Sequence, residues 1–258
     1  MQLALYADEA SSVEPFREKL LSKLKRLIRL YKEGELGGTS HEVHPNLPRG
    51  SRENFLYFTL APAINFQRKS EGLWHSAFKT YVDSETSFVF EPSAVTRGEE
   101  AFRLALTKHR LALQTYKHVS IWFTISKTLY ERYDSDPRNV LTESEYDVVR
   151  IIDSLQRQKE RFPYLNGPKL SNYWLYILSC FTDVRFSNKH EISVIPDVHV
   201  TKATQYLGLI SYDKPPDPLR VANVWKQFLE GTDISPSDLH APLWRWSRRD
   251  FKPALQDL

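Results

Sequence analysis

The stretch Phe162-Pro163-Tyr164-Leu165-Asn166-Gly167-Pro168-Lys169 decides the fold prediction, because it reads as a tight turn that leads directly into a helix. Asn-Gly is a strong turn dipeptide, and proline fits best at the first position of a helix. A helix is therefore predicted over 168–181, with Lys169 in its first turn.

The position of Lys169 bears on its chemistry. The helix dipole presents its positive end there, which disfavours a cation and increases the fraction of neutral, nucleophilic amine. The backbone amides of Asn166 and Gly167 are expected to face an anion such as a phosphate. A solvated surface lysine is the alternative interpretation of an isolated Gly-Pro-Lys motif.

A second motif, Ile195-Pro196-Asp197-Val198-His199-Val200, follows later in the chain. Asp197 is a good N-cap for a helix that starts after it, and this role alone is sufficient to explain the residue. A carboxylate held at a helix N-terminus is also suited to stabilising a developing cation or activating a nucleophile. The two roles are compatible.

The composition is that of an ordinary globular protein. The 258 residues are 41% apolar and 26% charged, with a net charge of +3. The single cysteine, Cys180, excludes an intrachain disulfide and a four-cysteine zinc site. His41 and His44 have a spacing that can bind metal but no third ligand nearby, so no metal site is predicted.

The pattern of apolar residues predicts an all-α protein. Glycine is scarce, with nine residues, and apolar residues recur at intervals of three and four. Cys180 is expected to be packed on the apolar part of its helix. Helices are predicted over 16–31, 53–65, 70–82, 98–116, 118–133, 142–161, 168–181, 197–207, 217–230 and 235–248.

The chain carries no apolar run of roughly 18 or more residues and no signal-like N-terminal segment. We therefore expect no membrane association and an intracellular, cytoplasmic location, associated with the nucleoid if the source is prokaryotic.

The two motifs together resemble those of the helix-hairpin-helix DNA glycosylases, with Gly167, Lys169, Asp197 and His199 at the matching positions. The resemblance implies a two-lobed all-α fold with a cleft between helical subdomains. Residues 1–258 would form one glycosylase unit. One lobe would span 53–200 and end in the helix-hairpin-helix, and the other would combine 1–52 with 201–258.

The resemblance also implies an activity. Lys169 would be the Schiff-base nucleophile that attacks the sugar, and Asp197 would assist departure of the base. A lysine at this position implies a bifunctional enzyme that also cleaves the strand at the abasic site. The family needs no organic cofactor, although its hairpin often holds a monovalent cation. The implied partner is double-stranded DNA with a modified base, bound by a monomer.

Further segments are similar to the archaeal 8-oxoguanine glycosylases, namely Gly50-Ser51-Arg52, Ile64-Asn65-Phe66-Gln67-Arg68 and the segment 235–244. By this resemblance the flipped base would lie in a pocket that includes Trp244 and His240, a position where the family has an aspartate. The complete predicted base pocket is Trp244, His240, Asn65 and Phe66, and the predicted DNA contacts are Gln67, Arg68, Asn166, Gly167, His199, Lys202 and Arg248.

Departures from the family pattern leave the substrate open. Leu165 replaces a hairpin glycine, Asn166 an aliphatic residue and Pro196 a valine. A neutral His240 can donate one hydrogen bond and accept another, whereas a carboxylate only accepts. An 8-oxoguanine-like purine is the expected base. The alternatives are another modified base, such as a hypermodified phage cytosine removed in antiviral defence, or a non-catalytic nucleic-acid-binding module on the same fold.

Overall fold

A computed structural model describes residues 10–37, 42–212 and 216–258. The chain divides into two compact units, one formed by Met1–Thr39 with Ser193–Leu258 and the other by Ser40–Ile192. The boundary at Ile192 assigns Lys169 and Asp197 to different units. Each unit is described separately below.

The first unit is built on the packing of α11 against α9 and α1. Its core contains leucines on the buried side of α1 together with Trp225 and Trp246, and the opposite side of α1 exposes Lys19, Arg26 and Arg29. Trp225 donates its indole N–H to Thr204 Oγ1 at 2.8 Å, which satisfies a polar group inside the apolar core. The helices are α1 (Ala10–Lys32), α9 (Val198–Tyr206), α10 (Pro218–Leu229) and α11 (Pro236–Arg248).

The second unit has an aromatic core. Tyr57 stacks on Phe90, with ring centroids 5.4 Å apart, and Phe90 meets Trp122 edge to face. Its helices are α2 (Arg52–Leu60), α3 (Ser70–Val82), α4 (Glu99–Lys108), α5 (Thr115–Arg132), α6 (Pro137–Glu143), α7 (Val148–Arg157) and α8 (Pro168–Phe181). Short 3-10 segments at Pro62–Ile64, Ser87–Phe90, Pro92–Arg97 and Lys189–Glu191 connect them.

The all-α prediction is confirmed, since the described residues contain helices, loops and one isolated β-bridge between Asp147 and Ser187. The predicted helices over 70–82 and 168–181 have the observed bounds. In the described part of the chain, no helix has the length and apolar character that crossing a lipid bilayer requires.

Two of the long helices predicted from periodicity are shorter in the structure than predicted. The helix predicted over 98–116 ends at Lys108, because Arg110 has a positive φ of 57° and the chain turns to bury Leu111. The helix predicted over 142–161 is α7 alone, since Asp147 caps a new N-terminus by accepting from the Arg150 amide at 3.0 Å. Tertiary packing and capping overrode local periodicity in both cases.

Two smaller predictions also need correction. The helix predicted over 53–65 stops at Leu60, and Pro62, which has no amide hydrogen to donate, begins a 3-10 turn. Cys180 is exposed rather than packed, because it lies in the last turn of α8, where apolar neighbours in sequence no longer guarantee burial.

Candidate functional site

The turn before α8 holds the sequence that suggested a hairpin. Phe162 and Leu165 are buried and anchor it, and Tyr164 adopts a positive φ of 66°. The Asn166 amide donates to the Phe162 carbonyl at 3.2 Å, and the Gly167 amide donates to the Tyr164 carbonyl at 3.1 Å. Both amides are used within the turn, which corrects the prediction that they face a phosphate.

Lys169 itself is exposed in the first turn of α8. Pro168 occupies the first helical position. The N-cap residue is Gly167, which has no side chain to cap the helix. One turn further along, Tyr173 is 6% exposed and fixes the helix to the rest of its unit. The amine therefore projects to solvent from a helix whose other side is buried in its unit.

The family resemblance implies a monovalent cation at this turn. Such an ion needs several carbonyl oxygens directed at one point. Here the carbonyls of Phe162, Pro163 and Tyr164 each accept a backbone amide from inside the turn. Within the described residues there is also no group of three histidine, cysteine or acidic side chains that could hold a metal ion. His41 lies outside the described residues, and the His44 ring meets Phe181 edge to face.

The predicted segment Asn65–Arg68 lies beside the turn in the same unit. Asn65 Nδ2 donates to Ser70 Oγ at 3.1 Å, and Ser70 Oγ is 3.1 Å from the Tyr173 hydroxyl. The Trp74 indole N–H also donates to this hydroxyl at 3.0 Å. This partly buried network joins the segment to the helix that carries Lys169.

A second link between the segment and the turn is aromatic. Phe66 stacks on Tyr164 with centroids 4.3 Å apart and planes at 14°. The ring of His118, at the start of α5, meets Phe66 edge to face at 4.8 Å. The Lys117 ammonium lies 5.2 Å from the Phe66 centroid and 4.9 Å from that of Tyr164. Phe66, Tyr164, His118 and Lys117 together form the stacked cluster.

The next two residues of the segment point in different directions. Gln67, with a positive φ of 51°, is exposed and accepts from Gln114 Nε2 at 2.7 Å. Arg68 is partly buried and donates through Nη1 to the Leu111 carbonyl at 2.6 Å. Burial, together with the charge of Arg110, lowers the pKa of Arg68 to about 10, so the guanidinium remains charged at neutral pH.

His118 is neutral at physiological pH. It is 1% exposed, and burial followed by the charges of Arg68 and Lys117 lowers its pKa to about 4. The Leu113 amide donates to Nδ1 at 3.2 Å, so the neutral ring carries its proton on Nε2. An uncharged imidazole with a fixed tautomer can donate a hydrogen bond without changing its protonation state.

The buried His118 should make stability fall in acid. Its folded-state pKa lies below the unfolded value of 6.5, so the unfolded chain binds more protons and stability is lost as pH falls from 6.5 towards 4. The free energy of unfolding in urea is measured at pH 7 and at pH 4.5. We expect the difference between the two values to be smaller in His118→Phe than in wild type, by on the order of 1–3 kcal/mol. The matched control is His75→Phe, at an exposed histidine of the same unit. An unchanged pH dependence in His118→Phe would contradict the assignment.

In the first unit, Asp197 is the N-cap of α9. One carboxylate oxygen, Oδ1, accepts from the His199 amide at 2.9 Å and from the Val200 amide at 2.8 Å. The predicted capping role is therefore present. The residue is half-buried, and both amides contact the same oxygen, Oδ1.

The start of α9 packs against the last turns of α11. His199 meets Trp244 edge to face at 5.5 Å, and its Nδ1 lies 3.5 Å from Ser247 Oγ. Burial is the main cause that lowers the His199 pKa, and the positive charges of Arg248 and Lys202 act in the same direction while Asp197 opposes them. Both basic residues are exposed, so this face combines a carboxylate, an imidazole and two cations.

Trp244 is half-buried, and cations approach its ring. The Arg248 guanidinium lies 4.8 Å from the ring centroid, and that of Arg245 lies 5.5 Å away. His240, one turn earlier on α11, is buried with 9% exposure. A base that stacks on Trp244 must therefore share the ring with arginine, a feature that the sequence did not indicate.

The predicted residues thus form two groups, one in each unit. The structure brings Asn65–Arg68 together with the turn before α8, and it brings Asp197, His199, Trp244 and Arg248 together at the α9–α11 contact. Sequence reasoning missed Tyr164, Lys117, His118 and Ser247. For Lys117 and His118 the only sequence signal is the mixture of aromatic and basic residues in Tyr116-Lys117-His118, which is weak alone.

No protein-family model matches the chain, and no curated protein matches it either. The functional assignment therefore depends on the residues themselves.

Proposed function

We propose that the protein is a helix-hairpin-helix DNA glycosylase with AP lyase activity that excises an 8-oxoguanine-like purine. The observation that carries the proposal is the exposed side chain of Lys169 in the first turn of α8, a helix that is otherwise largely buried and that directly follows the turn. A Schiff-base nucleophile must be a primary amine that can reach the sugar, and the exposed Lys169 side chain meets both conditions.

In the proposed reaction the Lys169 amine attacks C1′ of the target nucleotide, the bond from C1′ to the base breaks, and the proton lost from the amine passes to the departing base. Opening of the sugar ring gives an imine, and β-elimination then cleaves the strand on the 3′ side. The Asp197 carboxylate stabilises positive charge on the sugar as the base departs. No organic cofactor enters this scheme, and a monomer on duplex DNA is sufficient.

The α9–α11 face supports a role in binding the nucleotide. Trp244 offers a partly exposed aromatic surface with the exposed Arg248 beside it, and the exposed Lys202 acts on the neighbouring His199. Aromatic surfaces combined with cations are typical of sites that hold an unstacked base and its phosphates.

His240 supports the alternative substrate. The resemblance places an aspartate at this position, and an imidazole presents a different set of donors and acceptors to a base. A modified cytosine, as in antiviral defence, is therefore the second candidate base.

The proposal predicts base release under single-turnover conditions. Duplexes carrying 8-oxoguanine opposite cytosine, hydroxymethylcytosine or glucosylated hydroxymethylcytosine are incubated with excess protein, and abasic sites are revealed by hot alkali. Release of 8-oxoguanine alone supports the purine assignment, and release of a modified cytosine alone supports the alternative. Duplex binding with neither base release nor cleavage of a preformed abasic site would instead indicate a non-catalytic binding module.

A further inference from the structure

Three buried side-chain atoms in the described part of the second unit lack a hydrogen-bond partner: the Ser126 hydroxyl and two N–H donors. Among the described residues, Arg68 Nε and His118 Nε2 have no hydrogen-bond partner. Since His118 Nδ1 accepts the Leu113 amide, Nε2 is the protonated nitrogen of the neutral ring. A buried donor without a partner is costly. The charge of Arg68 acts on His118, so one ligand could satisfy both donors.

The charges around these donors are positive. Arg68 and Lys117 both act electrostatically on His118, and Arg110 acts on Arg68. Lys117 and Arg110 are exposed. Donors of arginine, lysine and neutral histidine together match a ligand that only accepts hydrogen bonds and carries negative charge, as a phosphate does.

The stacked cluster fixes the geometry of this group. The Lys117 ammonium is nearly equidistant from the Phe66 and Tyr164 centroids, so it lies beside the stacked pair rather than above one ring. Tyr164 belongs to the turn that leads into α8, and Phe66 follows the residue whose network reaches Tyr173. The donors are therefore held next to the helix that carries Lys169.

We propose that Arg68, Lys117 and His118 form a binding site for one phosphodiester of the DNA strand. The exposed Lys117 ammonium supplies charge at the rim of the site. Arg68 Nε and His118 Nε2 are buried in the free protein, so the phosphate must displace part of the rim to accept from these two donors. The exposed rim beside the site, with Tyr116 at 80% and Leu113 at 45% exposure, presents apolar surface to the adjoining nucleotide. This inference rests on the proposed function, because that function supplies the polyanion.

The site predicts a specific coupling between one phosphate and two side chains. The probe is a duplex with a tetrahydrofuran abasic-site analogue, in which single phosphates are replaced one at a time by neutral methylphosphonates. Wild type should lose about 10-fold in affinity at one position, by fluorescence anisotropy. Arg68→Met and Lys117→Met should lose less than about 2-fold at that same position, since the contact is already missing.

Salt dependence gives an independent measure of the same contacts. Each of the two substitutions should reduce the slope of log affinity against log salt by about 1. The matched control is Lys127→Met on the same helix, because Lys127 is exposed and paired with Glu131. Its slope should remain within about 0.3 of wild type.

His118 is tested by a pair of variants, with folding verified by circular dichroism. His118→Gln can still donate a hydrogen bond and should retain affinity better than His118→Phe, which cannot. If no phosphate is coupled to Arg68 or Lys117 while the duplex still binds, the inference is overturned and the glycosylase proposal stands. If the duplex does not bind at all, the glycosylase proposal fails with it. A third outcome is that inorganic phosphate shifts the His118 NMR signals while no phosphate of the duplex is coupled to the site. The site would then bind a free anion and not the DNA strand.

Discussion

Lys169→Gln is expected to abolish the covalent adduct that borohydride traps between the protein and a duplex with a natural abasic site. The imine forms only with a primary amine, and glutamine has none. The rate of strand cleavage at the abasic site should fall by about 10³-fold or more, as is typical when a catalytic nucleophile is removed. The abasic substrate makes the result independent of which base the enzyme removes.

Controls separate the nucleophile from a general loss of charge. Lys159→Gln removes the same charge from an exposed lysine in the turn that precedes α8, and it should leave the adduct intact. Lys169→Arg keeps the charge but should also form no adduct, because the guanidinium stays protonated. A trapped adduct of normal yield in Lys169→Gln would show that another amine reacts and would reject Lys169 as the nucleophile.

The local parts of the fold could be predicted because local chemistry determines them. Asn166-Gly167-Pro168 combines a turn dipeptide with the preferred first residue of a helix, and α8 begins there. Asp197 precedes a helical segment and caps α9 through two amides. In both cases the residues that decide the structure lie within a few positions of each other.

The stacked cluster could not be predicted in this way. Phe66, His118 and Tyr164 come from three separate segments and meet only when the second unit folds. The state of His118 depends on this packing, since burial is the main cause of its lowered pKa. The engagement of the Asn166 and Gly167 amides was likewise missed, because it depends on the left-handed conformation of Tyr164.

Asp197→Asn is expected to reduce base release and strand cleavage by about 10²- to 10³-fold while the protein keeps its stability. Asparagine caps a helix about as well as aspartate, so the two hydrogen bonds from the His199 and Val200 amides should survive. The carboxylate charge is lost, and with it the stabilisation of positive charge on the sugar. Binding to an abasic-site duplex should be unchanged or tighter, because a negative charge has been removed next to Lys202 and Arg248.

Two comparisons make this result specific to Asp197. Asp197→Ala removes the cap as well, and should cost a further ~1 kcal/mol of the free energy of unfolding in urea. Asp217→Asn alters an equivalent N-cap, where Asp217 accepts from the Leu219 amide at 3.1 Å, and should leave the rate unchanged. A lower rate without a loss of affinity in Asp197→Asn cannot come from partial unfolding, which lowers both. If Asp197→Asn cleaves the strand at the wild-type rate, Asp197 is only a helix cap and Lys169 acts without it.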